Sequence, residues 1–170
     1  MLNEKVSELL NDQINKELYS AYLYLDFSNF YQEEGLDGFA NWYMIQAQEE
    51  RDHAMLMMQY LQNNGCKVVL EAVAKPDKEL KDKLEVLKFG LEHEQYVTSL
   101  IHNIYDAAYS VRDFRTMQFL DWFVKEQGEE EKNAEDMIKK MTIFGDDAKS
   151  LYMLNSEMAA RVYSAPSLVL

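Results

Sequence analysis

In four long stretches of this chain, apolar side chains recur in alternating steps of four and three residues, and no segment sustains alternation in steps of two. That period belongs to a helix with one buried face, so the sequence predicts an all-α protein. Two prolines and six glycines in 170 residues leave few breaks. Gly35 and Gly38 mark a turn with Asp37 as N-cap, and Gly65 closes a helix. Pro76 and Asp77 open the next one, Asp113 caps another after Ser110, and Gly145-Asp146 ends one helix and caps the last. Helices are expected over roughly 4–33, 38–63, 78–109 and 114–144, with a short fifth near 147–162.

Short loops join the first helix to the second and the third to the fourth, which makes two antiparallel hairpins. About fifteen residues, NGCKVVLEAVAKPDK, separate the hairpins, long enough for a crossover along the length of a bundle. Val68-Val69-Leu70 has strand composition but no partner strand. The expectation is one domain over 1–170, a four-helix bundle (about 4–144) plus the fifth helix.

Each stripe is interrupted near its middle. The first reads Leu10, Gln13, Glu17, Ser20, Tyr24, and the second Tyr43, Gln46, Glu50, His53, Met57. The third reads Leu87, Leu91, Glu94, Thr98, Ile101, and the fourth Phe123, Gln127, Glu130, Ala134, Met137. Counted from the hairpin turns at roughly 1.5 Å per residue, Glu17, Glu50, His53, Glu94, Gln127 and Glu130 fall within a band of about 8 Å. No Lys or Arg lies on any stripe. Buried like charges at that density require either protonation or bound cations. Four carboxylates match two divalent ions, and Glu50-x-x-His53 sets two ligands one turn apart. Oxygen-rich ligation with a single imidazole suits iron or manganese better than structural zinc.

Each residue taken alone has an ordinary explanation. One core glutamate is usually satisfied locally, and Tyr24 two turns from Glu17 reads as packing. Trp122, Phe119 and the ten methionines read as core and interface, His93 and His102 as ordinary polar residues, and Cys66 as a bystander. The stretch EQGEEE (126–131) points Gln127 and Glu130 inwards, sets Glu126 and Glu129 beside the seam, and leaves Glu131 solvated. Gly128 there suits a kink or a close approach. Net charge of −13 argues against nucleic acid as a partner. One cysteine excludes an intrachain disulfide. No signal peptide or membrane-length apolar run occurs, so a soluble cytoplasmic protein is expected.

NDQINKELYSAYLYL (11–25), QAQEERDHA (46–54), HEQ (93–95) and FLDWFVKEQGEEEKNA (119–134) resemble the bacterial non-haem ferritins, a similarity that covers essentially the whole chain. The resemblance implies a ferritin-like bundle with a di-iron ferroxidase centre. It assigns one iron to Glu17, Glu50 and His53 and the other to Glu50, Glu94 and Glu130, with Glu50 bridging. Gln127 would be a weak or outlying ligand and Tyr24 a hydrogen-bonded neighbour. A third iron would sit at Glu49, Glu126, Glu129 and Glu130, facing the interior of a shell. Gln127-x-x-Glu130 replaces the second Glu-x-x-His of many di-iron bundles, which counts against bacterioferritin and rubrerythrin. Asp52 stands where bacterioferritins carry a haem-ligating methionine, so no haem is expected.

The implied activity is oxidation of Fe(II) by dioxygen or peroxide, followed by mineral storage in a shell of 24 copies. Leu151, Tyr152, Leu154, Met158 and Val162 of the fifth helix would then need a partner to bury them. Two other readings remain at this point: an oxidase acting on an organic substrate, which needs an open apolar pocket beside the metals, and a purely structural bundle.

Overall fold

The computed structural model describes residues 2–170, and those residues form five helices: α1 (Glu4–Glu33), α2 (Asp37–Asn63), α3 (Lys83–Ser110), α4 (Phe114–Phe144) and α5 (Ala148–Met158). No strand occurs among the described residues. Helices α1 and α2 pack along one another, as do α3 and α4; α1 also packs on α3, and α5 docks on α2 and α4. The structure is the expected four-helix bundle with one crossover.

Several helix ends differ from expectation, among them the start of α2, where Leu36 rather than Asp37 holds the N-cap position. Helix α3 begins at Lys83 rather than near 78, because the Asp82 carboxylate accepts the backbone N–H groups of Leu84 and Glu85 at 2.9 and 3.0 Å. Helix α5 ends at Met158, and the cap that starts it is Asp147, which accepts from Ser150, not Asp146. The crossover therefore runs from 64 to 82 in irregular conformation. Val68-Val69-Leu70 is not a strand: the Asn11 side chain donates to the Val69 carbonyl at 2.9 Å and accepts its N–H at 2.8 Å. One amide on α1 thus satisfies both backbone groups of Val69. Cys66 and Val68 pack against the core, so Cys66 is more than a bystander.

The stripes drift as a 3.6-residue helix must against a seven-residue repeat. Near the end of α3, Ile104 is buried and Tyr105 has turned partly out to donate to Asp121. In α4, Glu131 is half-buried rather than solvated and accepts the Thr98 hydroxyl at 2.5 Å. A side chain at Gly128 would meet nothing within 4 Å, so close approach does not explain that glycine.

The core is split. One cluster, including Tyr24, Phe27, Tyr31, Phe39, Tyr43 and Met137, fills the end beside α5. A second, including Leu10, Ile14, Met57, Leu61, Ile101 and Phe123, fills the other end. The acidic residues lie between the two.

Helix α2 has no side-chain cap of its own: Leu36 holds the N-cap position and Asp37 is the first helical residue. The missing acceptor comes from α5, where Asn155 Oδ1 takes the N–H groups of Gly38 at 2.9 Å and Phe39 at 3.2 Å. A Cβ at residue 38 would stand 1.8 Å from the Asn155 carbonyl oxygen, so this docking requires glycine there. Asn155→Ala leaves two helix-terminal donors without that acceptor and is expected to cost about 1–2 kcal/mol. It should speed hydrogen exchange in α5 above the rest of the bundle; unchanged α5 protection would show that the cap does not hold the helix.

Candidate metal centre

The four bundle helices each contribute to one polar layer. Helix α1 supplies Glu17, α2 Glu50 and His53, α3 Glu94, and α4 Gln127 and Glu130, none more than 7% exposed. Potential ligand atoms of Glu17, Glu50 and His53 lie within 4.8 Å of one another, as do those of Glu50, Glu94 and Glu130. Glu50 belongs to both sets. A third set at the same spacing joins His53, Glu126 and Glu130. Glu49 and Glu129 are not gathered with it: Glu49 pairs with Arg161 at 2.5 Å, and Glu129 with Lys125 at 3.4 Å on the surface. Each has taken a neighbouring side-chain cation.

Amides, rather than lysine or arginine, stand nearest most of the inner carboxylates. Gln13 donates to Glu17 at 3.0 Å, and the Gln46 amide reaches both Glu50 and Glu130 at 2.9 Å. Gln127 donates to the Glu94 carbonyl at 3.2 Å and its carboxylate at 3.3 Å, and the Tyr24 hydroxyl donates to Glu94 on its other oxygen. The His53 ring lies 3.3 Å from Glu50 and is held edge-on against Trp122 and Phe123. Even so, Glu17 Oε2 and Glu130 Oε2 are buried with no hydrogen-bond partner. A buried orphan oxygen is costly, and two of them in one layer fit a layer built to receive cations.

Burial and the charge of Glu50 push Glu17 up to about 8 and Glu94 up to about 7, and raise Glu130 well above the usual carboxylate range. Burial acts on Glu50 in the same direction, but the His53 imidazole and the Gln46 amide outweigh it and hold Glu50 below its ordinary value. His53 would be driven down by burial, yet Glu50, Glu17 and Glu126 lift it to about 9. Glu50 is thus the carboxylate kept ionised, and its neighbours hold protons that a divalent ion would displace.

Several contributors stood on the stripes without an assigned role. Gln13 and Gln46 are polar residues at core positions, which was the available signal. His93, an ordinary polar residue by sequence, lies with its ring edge-on against Tyr24 and its Nε2 2.7 Å from the Ser20 hydroxyl, so it helps to position Tyr24. Neither Arg161, inside the expected fifth helix, nor Tyr163, just beyond it, carries any sequence signal; in the structure both follow α5.

Raised carboxylates give the metal-free protein an unusual pH response. Glu17 and Glu94 favour folding while protonated, and that stability falls as pH climbs from their unfolded values, about 4.3, towards about 8 and about 7 respectively. His53 acts in the same direction between about 6.5 and 9. The depressed Glu50 opposes them only below its ordinary value. The unfolding midpoint with chelator present should therefore fall between about pH 5.5 and 8.5, and a redox-inert divalent ion should reduce the slope. A midpoint that rises over this range would contradict the assignment.

Comparison with known proteins agrees with this architecture. A family model described as a ferritin-like domain matches residues 7–144. The bacterial non-heme ferritin of Staphylococcus saprophyticus is 37% identical over 163 residues, covering 96% of this chain and 98% of that protein. The Staphylococcus epidermidis protein of the same description is 36% identical over 164 residues, covering 96% and 99%. Among solved structures, an open-pore ferritin from the archaeon Archaeoglobus fulgidus superposes with a TM-score of 0.92 at 42% identity, covering 95% of this chain and 98% of that one. An engineered closed form of the Archaeoglobus fulgidus ferritin gives 0.93 at 41%, covering 96% and 100%. A four-helix bundle with a short fifth helix, a buried layer of shared carboxylates and full-length similarity of this order have one common explanation: the chain belongs to the ferritin family.

Proposed function

We propose that this chain takes Fe(II) as its substrate, oxidises it to Fe(III) at the carboxylate layer, and stores the product as a mineral inside a shell of its own copies. The observation that carries this reading is the pair of buried donor sets sharing Glu50, with orphan oxygens on Glu17 and Glu130. Glu17, Glu50 and His53 hold one ion, and Glu50, Glu94 and Glu130 hold the other. Iron supplies the electrons. Two Fe(II) give up one electron each: dioxygen taking both with two protons leaves as hydrogen peroxide, and peroxide taking both with two protons leaves as water.

The protein's own part is placement and charge. Four carboxylates balance two Fe(II), and Glu17, Glu94, Glu130 and the raised His53 imidazole lose their protons as the ions enter. Gln127 and Tyr24 fix the two oxygens of Glu94 from opposite sides, and the Tyr24 hydroxyl stays protonated because burial and Glu94 raise it well above its ordinary value. Glu49, Glu126, Glu129 and Glu130 form the third iron site of this reading, with Glu49 and Glu129 leaving their present ion pairs to join it.

Assembly into a closed shell, 24 copies in our reading, is supported by apolar surface near the end of α4 and on α5, where Ile143, Tyr152 and Met153 are strongly exposed. The expectation that Leu154 and Met158 need another chain is corrected: both are buried within this one, because α5 folds back onto the bundle. That docking also supports treating bundle and α5 as one domain. No helix among the described residues is long and apolar enough to cross a membrane. We infer a cytoplasmic protein, to which a single free cysteine is suited.

An oxidase of organic molecules fits less well. The cavity lined by Tyr24, Tyr43, Gln46, Glu94 and Glu130 measures about 20 Å³, room for little more than a water molecule. A structural bundle gives no reason for the orphan oxygens.

The test is rapid aerobic oxidation of Fe(II) added stepwise to iron-free protein. Wild type should show a fast phase saturating near two ions per chain, lost in His53→Ala and slowed or altered in stoichiometry in Glu130→Ala. Oxidation no faster than in buffer, unchanged in both variants, would sink the catalytic assignment.

A further inference from the structure

Beyond α5 the chain stays on the bundle. Residues 159–170 run as an irregular strap across the seam between α2 and α4, with Arg161 and Tyr163 turned in and Val162 turned out. The Arg161 guanidinium lies 4.2 Å over the Trp42 ring, donates to the Trp42 carbonyl at 3.2 Å and to Gln46 Oε1 at 3.0 Å, and pairs with Glu49 at 2.5 Å. Further along, the Tyr163 hydroxyl donates to Asp52 at 2.5 Å and Trp122 Nε1 donates to the Ser167 hydroxyl at 3.0 Å. Leu168 packs on the second apolar cluster.

Gln46 connects this strap to the carboxylate layer. Arg161 can only donate, so it requires the amide oxygen on its side. The opposite face of the amide then presents its NH₂ group to Glu50 and Glu130, where it reaches both at 2.9 Å. One guanidinium therefore fixes the orientation of the amide that bridges two of the carboxylates. It also engages Glu49, whose carboxylate is close enough to interact with His53, Glu50 and Glu126. The Arg161 side chain is only 16% exposed and Glu49 19%, so their attraction is less screened than that of a surface pair.

We propose that Arg161 is a resident counter-cation of the centre. It holds Glu49 away from Glu126 and Glu130, so a third divalent ion gains Glu49 as a ligand only by displacing the guanidinium, and that displacement unlatches the strap. The paired sites do not use Glu49 and fill without this exchange. The inference rests on both the paired sites and the third site proposed above, and adds that binding of the third ion is coupled to movement of residues 159–170. Arg161 is a positioning residue here and touches no substrate in the two-ion state.

Zinc(II), which is redox-inert, separates the claims when titrated calorimetrically into the intact assembled protein. Wild type should bind two ions tightly and a third weakly. In Arg161→Gln the third should tighten by about five- to tenfold, the scale of one well-shielded ion pair. Arg161→Lys, which keeps the charge, should stay near wild type. Hydrogen exchange of wild type should show residues 159–170 losing protection when the third ion binds and not before. Equal third-ion affinity in wild type and Arg161→Gln, or a strap whose protection ignores the third ion, would overturn the latch while leaving the paired sites standing. Absence of the two tight sites in wild type would sink the di-metal reading, and the latch with it. Should Arg161→Gln fail to fold, the exchange experiment on wild type and the Lys variant decide the question.

Discussion

The constraint on which the rest of the structure depends is a layer of four buried carboxylates placed between two apolar clusters. Leucine or methionine at those positions would join the clusters into one continuous core. Carboxylates there oppose burial unless something neutralises them, and the fold provides that mostly through amides, a tyrosine hydroxyl and raised proton affinity. The remedy is incomplete, since two carboxylate oxygens keep no partner. Incompleteness is what makes the layer receptive: a site fully satisfied by its own side chains would have little to gain from a cation.

The layer is also asymmetric. Glu50 alone is held ionised, by His53 and Gln46, while Glu17, Glu94 and Glu130 are biased towards their protonated forms. A bridging ligand that is already charged, surrounded by ligands that surrender protons on binding, lets two cations enter without a large change in local charge. Tyr24 and Gln127 hold Glu94 from opposite sides, and His93 packs on Tyr24, so the α3 ligand is fixed by residues outside the donor sets.

The C-terminal region is tied to this centre more closely than a peripheral helix would be. Asn155 of α5 caps α2, the helix that carries Glu50 and His53. The following strap places Arg161 on Gln46 and Glu49 of the same helix. Any disturbance of α5 therefore reaches α2 through the hydrogen bonds at its first turn and again midway along it.

Helix number, hairpin pairing and the depth at which Glu17, Glu50, His53, Glu94 and Glu130 meet were legible in the sequence by itself, because a 3.6-residue period and a fixed rise turn linear spacing into position. Gln127 was legible for the same reason, as a polar group on its stripe, whereas Tyr24 reads as packing by period alone and its place beside the centre is implied only by the resemblance to the ferritins. The start of α3 differs from expectation because Asp77 and Asp82 are equally good caps on paper, and it is the Asp82 carboxylate that accepts the first N–H groups of the helix. Only the tertiary structure decided which carboxylate is held charged, how Asn155 completes α2, and that Arg161 engages Glu49. The last two contacts join residues more than a hundred positions apart, the second through a tail with no period of its own. Periodicity specifies which face of a helix is buried, whereas the particular partner across that face is fixed only when the helices and the tail have packed.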